Sequence, residues 1–192
     1  MACASYSGKL TSVGPPLGRE DSLNIRKAAV QDAQRFAEIH VAAWRAAYPG
    51  VVPHETLENL SIGRRAERFR EFLGSSDLAP TFVIEDAGAV VGFMTAGACR
   101  DEDCDRQVGE VWGIYLDPPC WRRGLGTAAL AVAEDMLARD GCTRSVLWVF
   151  AANEAARGFY EANGYRPDGQ TKRIELGSAI LAVRLAKRLR CS

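Results

Sequence analysis

Apolar and polar positions alternate over Leu23-Asn24-Ile25-Arg26-Lys27-Ala28, the period of a short strand with one buried face. The period then lengthens. Ala33, Phe36, Ala37, His40, Ala43 and Trp44 recur on adjacent turns, which predicts a helix capped by Asp32, running to about Ala47 and stopped at Pro49-Gly50. A second helix is expected over 57–73, with Ile62, Ala66, Phe69 and Leu73 opposite Arg64, Arg65, Arg68 and Arg70. The arginines read as a solvated face partly paired with Glu67 and Glu71. Two apolar runs, 81–85 and 90–96, are joined by Asp86-Ala87-Gly88-Ala89 and predict an antiparallel hairpin. The acidic residues 101–105 read as a mobile loop.

A strand follows over 108–116, then a helix over 124–140 that packs through Ala129, Val132, Ala133, Met136 and Leu137 and ends at Gly141. The run 145–150 is a buried strand. Strand, helix and strand form a β-α-β unit, so the two strands should be parallel. Asn153 caps a short helix, 154–162, closed by Asn163-Gly164. The tail alternates over 178–185, and a last strand is favoured there over a helix at 181–189.

Composition narrows the class. With 192 residues, 47% of them hydrophobic, the chain fits one domain over 23–192, behind a flexible Ser-, Gly- and Pro-containing extension over 1–22. Lys+Arg 24 balances Asp+Glu 24, so no overall field recruits nucleic acid or a membrane surface, and any anion site is local. No apolar run reaches membrane-spanning length, and the extension lacks a signal peptide's apolar centre; a cytoplasmic location is expected. Six scattered cysteines without a CxxC pair read as reduced thiols. Cys99 and Cys104 lack a second ligand pair, so no metal is expected.

The stretch 110–130 concentrates the chemistry. A strand, the turn Asp117-Pro118-Pro119, a basic Gly-containing loop and a helix start follow one another. Trp121-Arg122-Arg123-Gly124-Leu125-Gly126-Thr127 brings backbone N–H groups and a positive helix end to one spot, with two arginines as donors for a phosphate. It lacks the Gly-Lys-Ser/Thr ending of a Walker loop and the third Gly of a dinucleotide fingerprint.

This loop, with its preceding strand and turn, resembles the GNAT superfamily of acetyl-CoA-dependent N-acyltransferases, whose pyrophosphate loop reads Gln/Arg-x-x-Gly-x-Gly/Ala. A second block is similar as well: 147–153, then Ala155-Ala156-Arg157-Gly158-Phe159-Tyr160-Glu161-Ala162-Asn163-Gly164-Tyr165. Trp121 stands where the family has Gln or Arg. The resemblance implies an α/β (α+β) fold, a mixed, mostly antiparallel sheet flanked by helices, in which the parallel strands at 110 and 145 splay apart. The pantetheine arm of acetyl-CoA would enter that gap. Its implied binding set is Ile114, Tyr115, Leu116, Arg122, Arg123, Gly124, Leu125, Gly126, Thr127 and Asn153, with Ile114 and Leu116 pairing through backbone and Tyr115 pointing to the other face. The family includes many dimers, and a homodimer is compatible with this chain.

Acyl transfer from a thioester needs an oriented, deprotonated amine and a stabilised oxyanion. An amine of pKa about 10.4 costs roughly 4.6 kcal/mol to neutralise at pH 7. Glu110, fourteen residues before Gly124 as in the histone-acetyltransferase branch, is the candidate base; the alternative is an ordinary strand-end ion pair. Trp112, Ile114 and Leu116 are expected on its face. Tyr160 is the candidate proton donor to the leaving thiolate, or else a core tyrosine. Trp44 and Tyr48, in one helical stripe with His40, form an acceptor-pocket wall or a core stripe. The expected reaction is acetyl transfer to a primary amine, on a small molecule first. The rivals are a protein or peptide acetyltransferase and a non-catalytic acyl-CoA-binding module.

Overall fold

A computed structural model describes residues 23–75 and 79–190; the extension over 1–22, with Cys3, and the terminal Cys191 lie outside the described residues. Strands β1 (Leu23–Lys27), β2 (Thr81–Asp86), β3 (Ala89–Ala98), β4 (Val108–Leu116), β5 (Arg144–Phe150), β6 (Arg166–Glu175) and β7 (Ala179–Arg188) make one mixed sheet, ordered β1-β2-β3-β4-β5-β7-β6. Every neighbouring pair is antiparallel except β4–β5, which is parallel as the β-α-β spacing predicts. Helix α4 (Leu125–Arg139) crosses one face, burying Ala129, Leu130, Ala133 and Leu137 against Val111, Leu116 and Leu147. Helices α1 (Ala33–Ala47) and α3 (Ile62–Gly74) cover the other, where Phe36 and Phe69 pack on Phe93 of β3. Helix α5 (Glu154–Ala162) follows β5.

The helix expected over 57–73 is two helices, α2 (His54–Glu58) and α3. Ser61 starts the second by accepting the Arg64 N–H at 3.3 Å, a capping signal that the arginine-rich pattern hides. Asp32 does not cap α1 through its side chain; its carboxylate takes the Ala29 N–H and a bidentate bond from Arg26. The tail is strand, as favoured, and a further edge strand, β6, precedes it. Arg166–Glu175 carries almost no apolar alternation, so only its pairing with β7 reveals it.

The cysteine reading needs correction. Cys99 and Cys104 are disulfide-bonded, because the end of β3 and the loop after it return within a Cα separation of 6.2 Å. Their spacing of five in the sequence carries no trace of that return. The acidic loop is likewise held: Arg184, 3% exposed, bonds Asp101 and Asp103, and Asp101 also accepts from Trp148. A ligand atom from each of Cys99, Asp101 and Cys104 lies within one 4.8 Å cluster, but these groups are already bonded to one another or to Arg184.

Candidate active site

The sheet opens in the middle. β4 and β5 pair only over Val108↔Arg144, Gly109↔Ser145 and Glu110↔Val146, and beyond these the strands separate. On its other edge β4 stays paired with β3 up to Gly92↔Leu116, and Asp117 N–H donates to Val91 O at 2.8 Å. In that antiparallel register the N–H and C=O groups of Ile114 and Leu116 point away from β3, into the gap.

A bulge divides the strand. Thr95 opposes Gly113 and Ala96 opposes Val111, so Trp112 is an extra residue without a partner. The expectation that Trp112, Ile114 and Leu116 share the face of Glu110 therefore fails for Ile114 and Leu116, while Trp112 stays with Glu110 beside Arg100. Ile114 and Leu116 pack on the α4 side with Val111. Trp112 faces the other way, against Phe72 of α3, and Tyr115 stacks on Phe93 and tilts against His40 of α1.

The loop before α4 is shaped by backbone. Arg122 and Gly124 both have positive φ, 58° and 85°, and the turn they make aims the first N–H groups of α4 outward. At Gly126 a Cβ would meet the Phe159 ring of α5 at 3.3 Å, so a bare backbone is what lets the first turn of α4 pack close to that ring. Arg122 is exposed and holds no other group among the described residues. Arg123 is tied to Asp86 at 2.6 Å. Trp121 donates its indole N–H to Leu116 O at 2.8 Å, closing the turn over the end of β4. That bond gives the residue at the family's Gln/Arg position a role of its own.

Glu110 is 1% exposed and sits where β4 and β5 are still paired. Its carboxylate takes the backbone N–H and Nε–H of Arg100, each at 3.0 Å, and a further bond from Nη2. Arg100 in turn lies 4.2 Å above the Trp112 ring. Tyr160 lies on α5 beside Phe159 and Tyr165. Burial, with Tyr115 close by, pushes its phenol above the usual range. Burial does the same to Tyr48, at the end of α1, which feels both Tyr115 and Tyr160 and lies beside Asn153. Three tyrosines from α1, β4 and α5 thus converge at the mouth of the gap. Asn153 also caps α5 through the Ala156 N–H at 3.1 Å.

Trp44 stacks on His40 at 5.1 Å and packs edge-on against Tyr48 and Phe150. Burial, with Arg65 nearby, pushes the His40 imidazole down to about 3, so it is neutral. Among the described residues His40 Nδ1 is buried without a hydrogen-bond partner, and the Trp44 indole has only the Tyr115 hydroxyl beside it. Sequence reasoning did not find Arg65, Arg100 or the Tyr115 phenol as neighbours of this site. No local pattern marks them, since each arrives from a different element.

Residues 33–165 match the model of the acetyltransferase (GNAT) family. An uncharacterised N-acetyltransferase, YuaI of Bacillus subtilis, is 31% identical over 147 residues, covering 76% of this chain and 80% of the relative. The spermidine N(1)-acetyltransferase of Thermoplasma acidophilum is 24% identical over 76% of this chain and 89% of its own. The crystal structure of PaiA N-acetyltransferase from the same organism, in complex with coenzyme A, superposes with a TM-score of 0.67 at 21% identity, over 87% of this chain and 99% of that one. With the split sheet and the loop before α4, these matches identify the chain as an N-acetyltransferase belonging to the acetyltransferase (GNAT) family.

Proposed function

We propose that the protein transfers an acetyl group from acetyl-CoA to a primary amine of a small molecule, by direct attack with both substrates bound. The observation that carries the reading is the early end of β4–β5 pairing at Glu110↔Val146. It leaves the outward backbone groups of Ile114 and the N–H of Leu116 beside the start of α4, with the Leu116 carbonyl held by Trp121, and such a strand edge suits the amides of a pantetheine arm. A diphosphate suits the first N–H groups of α4 and the uncommitted Arg122, with Leu125, Gly126 and Thr127 supplying the turn. The coenzyme A complex of the Thermoplasma protein supports the same placement by analogy of fold.

A bound thioester supplies an already activated acyl group, so the chain's task is orientation and proton handling. Tyr160 serves as donor to the departing sulfur: a phenol is protonated at neutral pH, and burial, which raises it further, is a cost that the transfer has to meet. Tyr115 and Tyr48 line the approach of the amine with Trp44, and the name of the spermidine-acetylating relative supports a small acceptor. Glu110 acts as base only if Arg100 releases it, since its carboxylate is already held. Its other role is to fix Arg100 over Trp112.

The test is release of free thiol from acetyl-CoA against a panel of primary amines, alongside direct measurement of CoA binding. Turnover with compact amines is expected. Tight CoA binding without turnover by any amine would make the chain a binding module instead.

A further inference from the structure

On the α1–α3 side of the sheet one charge stands unanswered. Arg26, Arg35, Arg144, Arg157 and Arg184 are buried or half-buried, and each holds a carboxylate. Arg65 is also half-buried, yet among the described residues its guanidinium makes neither an ion pair nor a hydrogen bond. It makes none with Glu67 or Glu71, the partners expected for the arginines of this helix. Taking a guanidinium out of water without a counter-charge is costly, so native chains pair it or use it.

The packing says where this charge lies. Phe69 meets both Phe36 and His40 of α1, at 5.8 and 6.0 Å, so α3 and α1 are in side-by-side contact. Arg65 is one helical turn before Phe69 and on the same side. It carries an electrostatic influence on both His40 and Tyr115, and burial works against its own charge. Near it sits a buried polar nitrogen with no partner among the described residues, Nδ1 of His40, itself 5% exposed, while the Trp44 indole has the Tyr115 hydroxyl beside it. An unanswered charge beside an unpartnered ring nitrogen is what a polar, anionic group would satisfy. The CoA diphosphate is not that group, because the start of α4 lies on the opposite face of the sheet.

Resting on the acetyl-transfer reading, we propose that the acceptor is a small primary amine carrying its own acid group, held by Arg65 beside His40 and Tyr115. The site selects for an anionic tail and against polycations. A carboxylate and a phosphonate or phosphinate present the same chemistry to Arg65.

Thiol release from acetyl-CoA is measured with the proteinogenic L-amino acids, their carboxamides, aminoalkylphosphonates and spermidine, on the parent, Arg65→Gln and Arg65→Lys. Acid-bearing amines are expected to turn over, with kcat/KM for the matching carboxamide lower by about 10- to 100-fold, the range for a charged hydrogen bond. Preference between the amino acids and the phosphonates identifies the acid. Arg65→Gln should raise KM for the acid-bearing acceptor by a similar factor, leave KM for acetyl-CoA unchanged and erase the discrimination; Arg65→Lys should restore part of it. Turnover of spermidine or carboxamides equal to that of the acids overturns the anionic pocket while leaving acetyl transfer standing. So does an equal loss on all acceptors in Arg65→Gln, with melting temperature confirming that the variant folds. Thiol release with none of these amines removes the transfer reading itself, and the acceptor proposal with it.

Discussion

The two faces of β4 are built from different materials. Toward α4 the candidate cofactor side is mostly backbone: a strand edge, two positive-φ residues, a glycine forced by a neighbouring ring and one uncommitted arginine. Toward α1 and α3 the candidate acceptor side is made of side chains, with His40, Trp44, Tyr48 and Tyr115 packed ring to ring and Arg65 and Arg100 beside them. A backbone site tolerates changes of side chain and is broken by a Cβ or a charge. A side-chain site is retuned by a single atom. This difference separates a cofactor shared by a family from an acceptor that varies within it.

Tyr160, where the two faces meet, should give the largest effect. Tyr160→Phe should lower kcat by about 100-fold, the low end for a general acid, with CoA affinity nearly intact. A loss of melting temperature in place of the kinetic effect would make it a core tyrosine. On the backbone face, Gly126→Asp should raise the CoA dissociation constant by about 30-fold, or ~2 kcal/mol, in calorimetry. Unchanged affinity would separate the loop from the diphosphate.

On the side-chain face, Glu110→Gln should cost about 10-fold in rate at pH 7 and less at high pH if Glu110 takes the amine's proton. A loss that is the same at every pH would make it solely the clamp for Arg100. His40 tests the same face through stability. Its unfolded form takes a proton near 6.5 and its folded form only near 3, so the unfolded chain gains protons between these values and stability falls as pH drops. His40→Leu should flatten that decline by up to about 1.4 kcal/mol per pH unit in urea unfolding. An unchanged slope would mean that the imidazole is charged in the fold. Trp121→Phe should be the mildest, costing about 1 kcal/mol or less for the lost bond to Leu116 O and changing CoA affinity by no more than about 5-fold.

Legibility in the sequence followed the same divide. The Pro-Pro turn, the glycines at 124 and 126 and the Asn153 cap are local devices, and each occurs in the structure where the chain pattern puts it. The parallel pair followed from the length of its crossover. Partners at long sequence separation were invisible. Arg184 gathers Asp101 and Asp103 from some eighty residues away, and nothing at either end announces it. Arg65 belonged to a run of arginines whose other members face solvent, so periodicity assigned it with them. β6 was missed because an edge strand needs no buried face, and the break at Ser61 because one hydroxyl decides it.

The unpaired Trp112 has a consequence for how β4 can change. The strand behaves as two segments spliced out of phase: Gly109 and Val111 face α4 before the splice, Ile114 and Leu116 after it. If the bulge were ironed out with Trp112 kept in an ordinary two-residue beat, everything downstream would turn over, sending Tyr115 toward α4 and Leu116 toward the aromatic pocket. The bulge, not the length of the strand, keeps both faces in step: loss of Trp112 alone would leave Ile114 and Leu116 toward α4 and take away only the ring beneath Arg100.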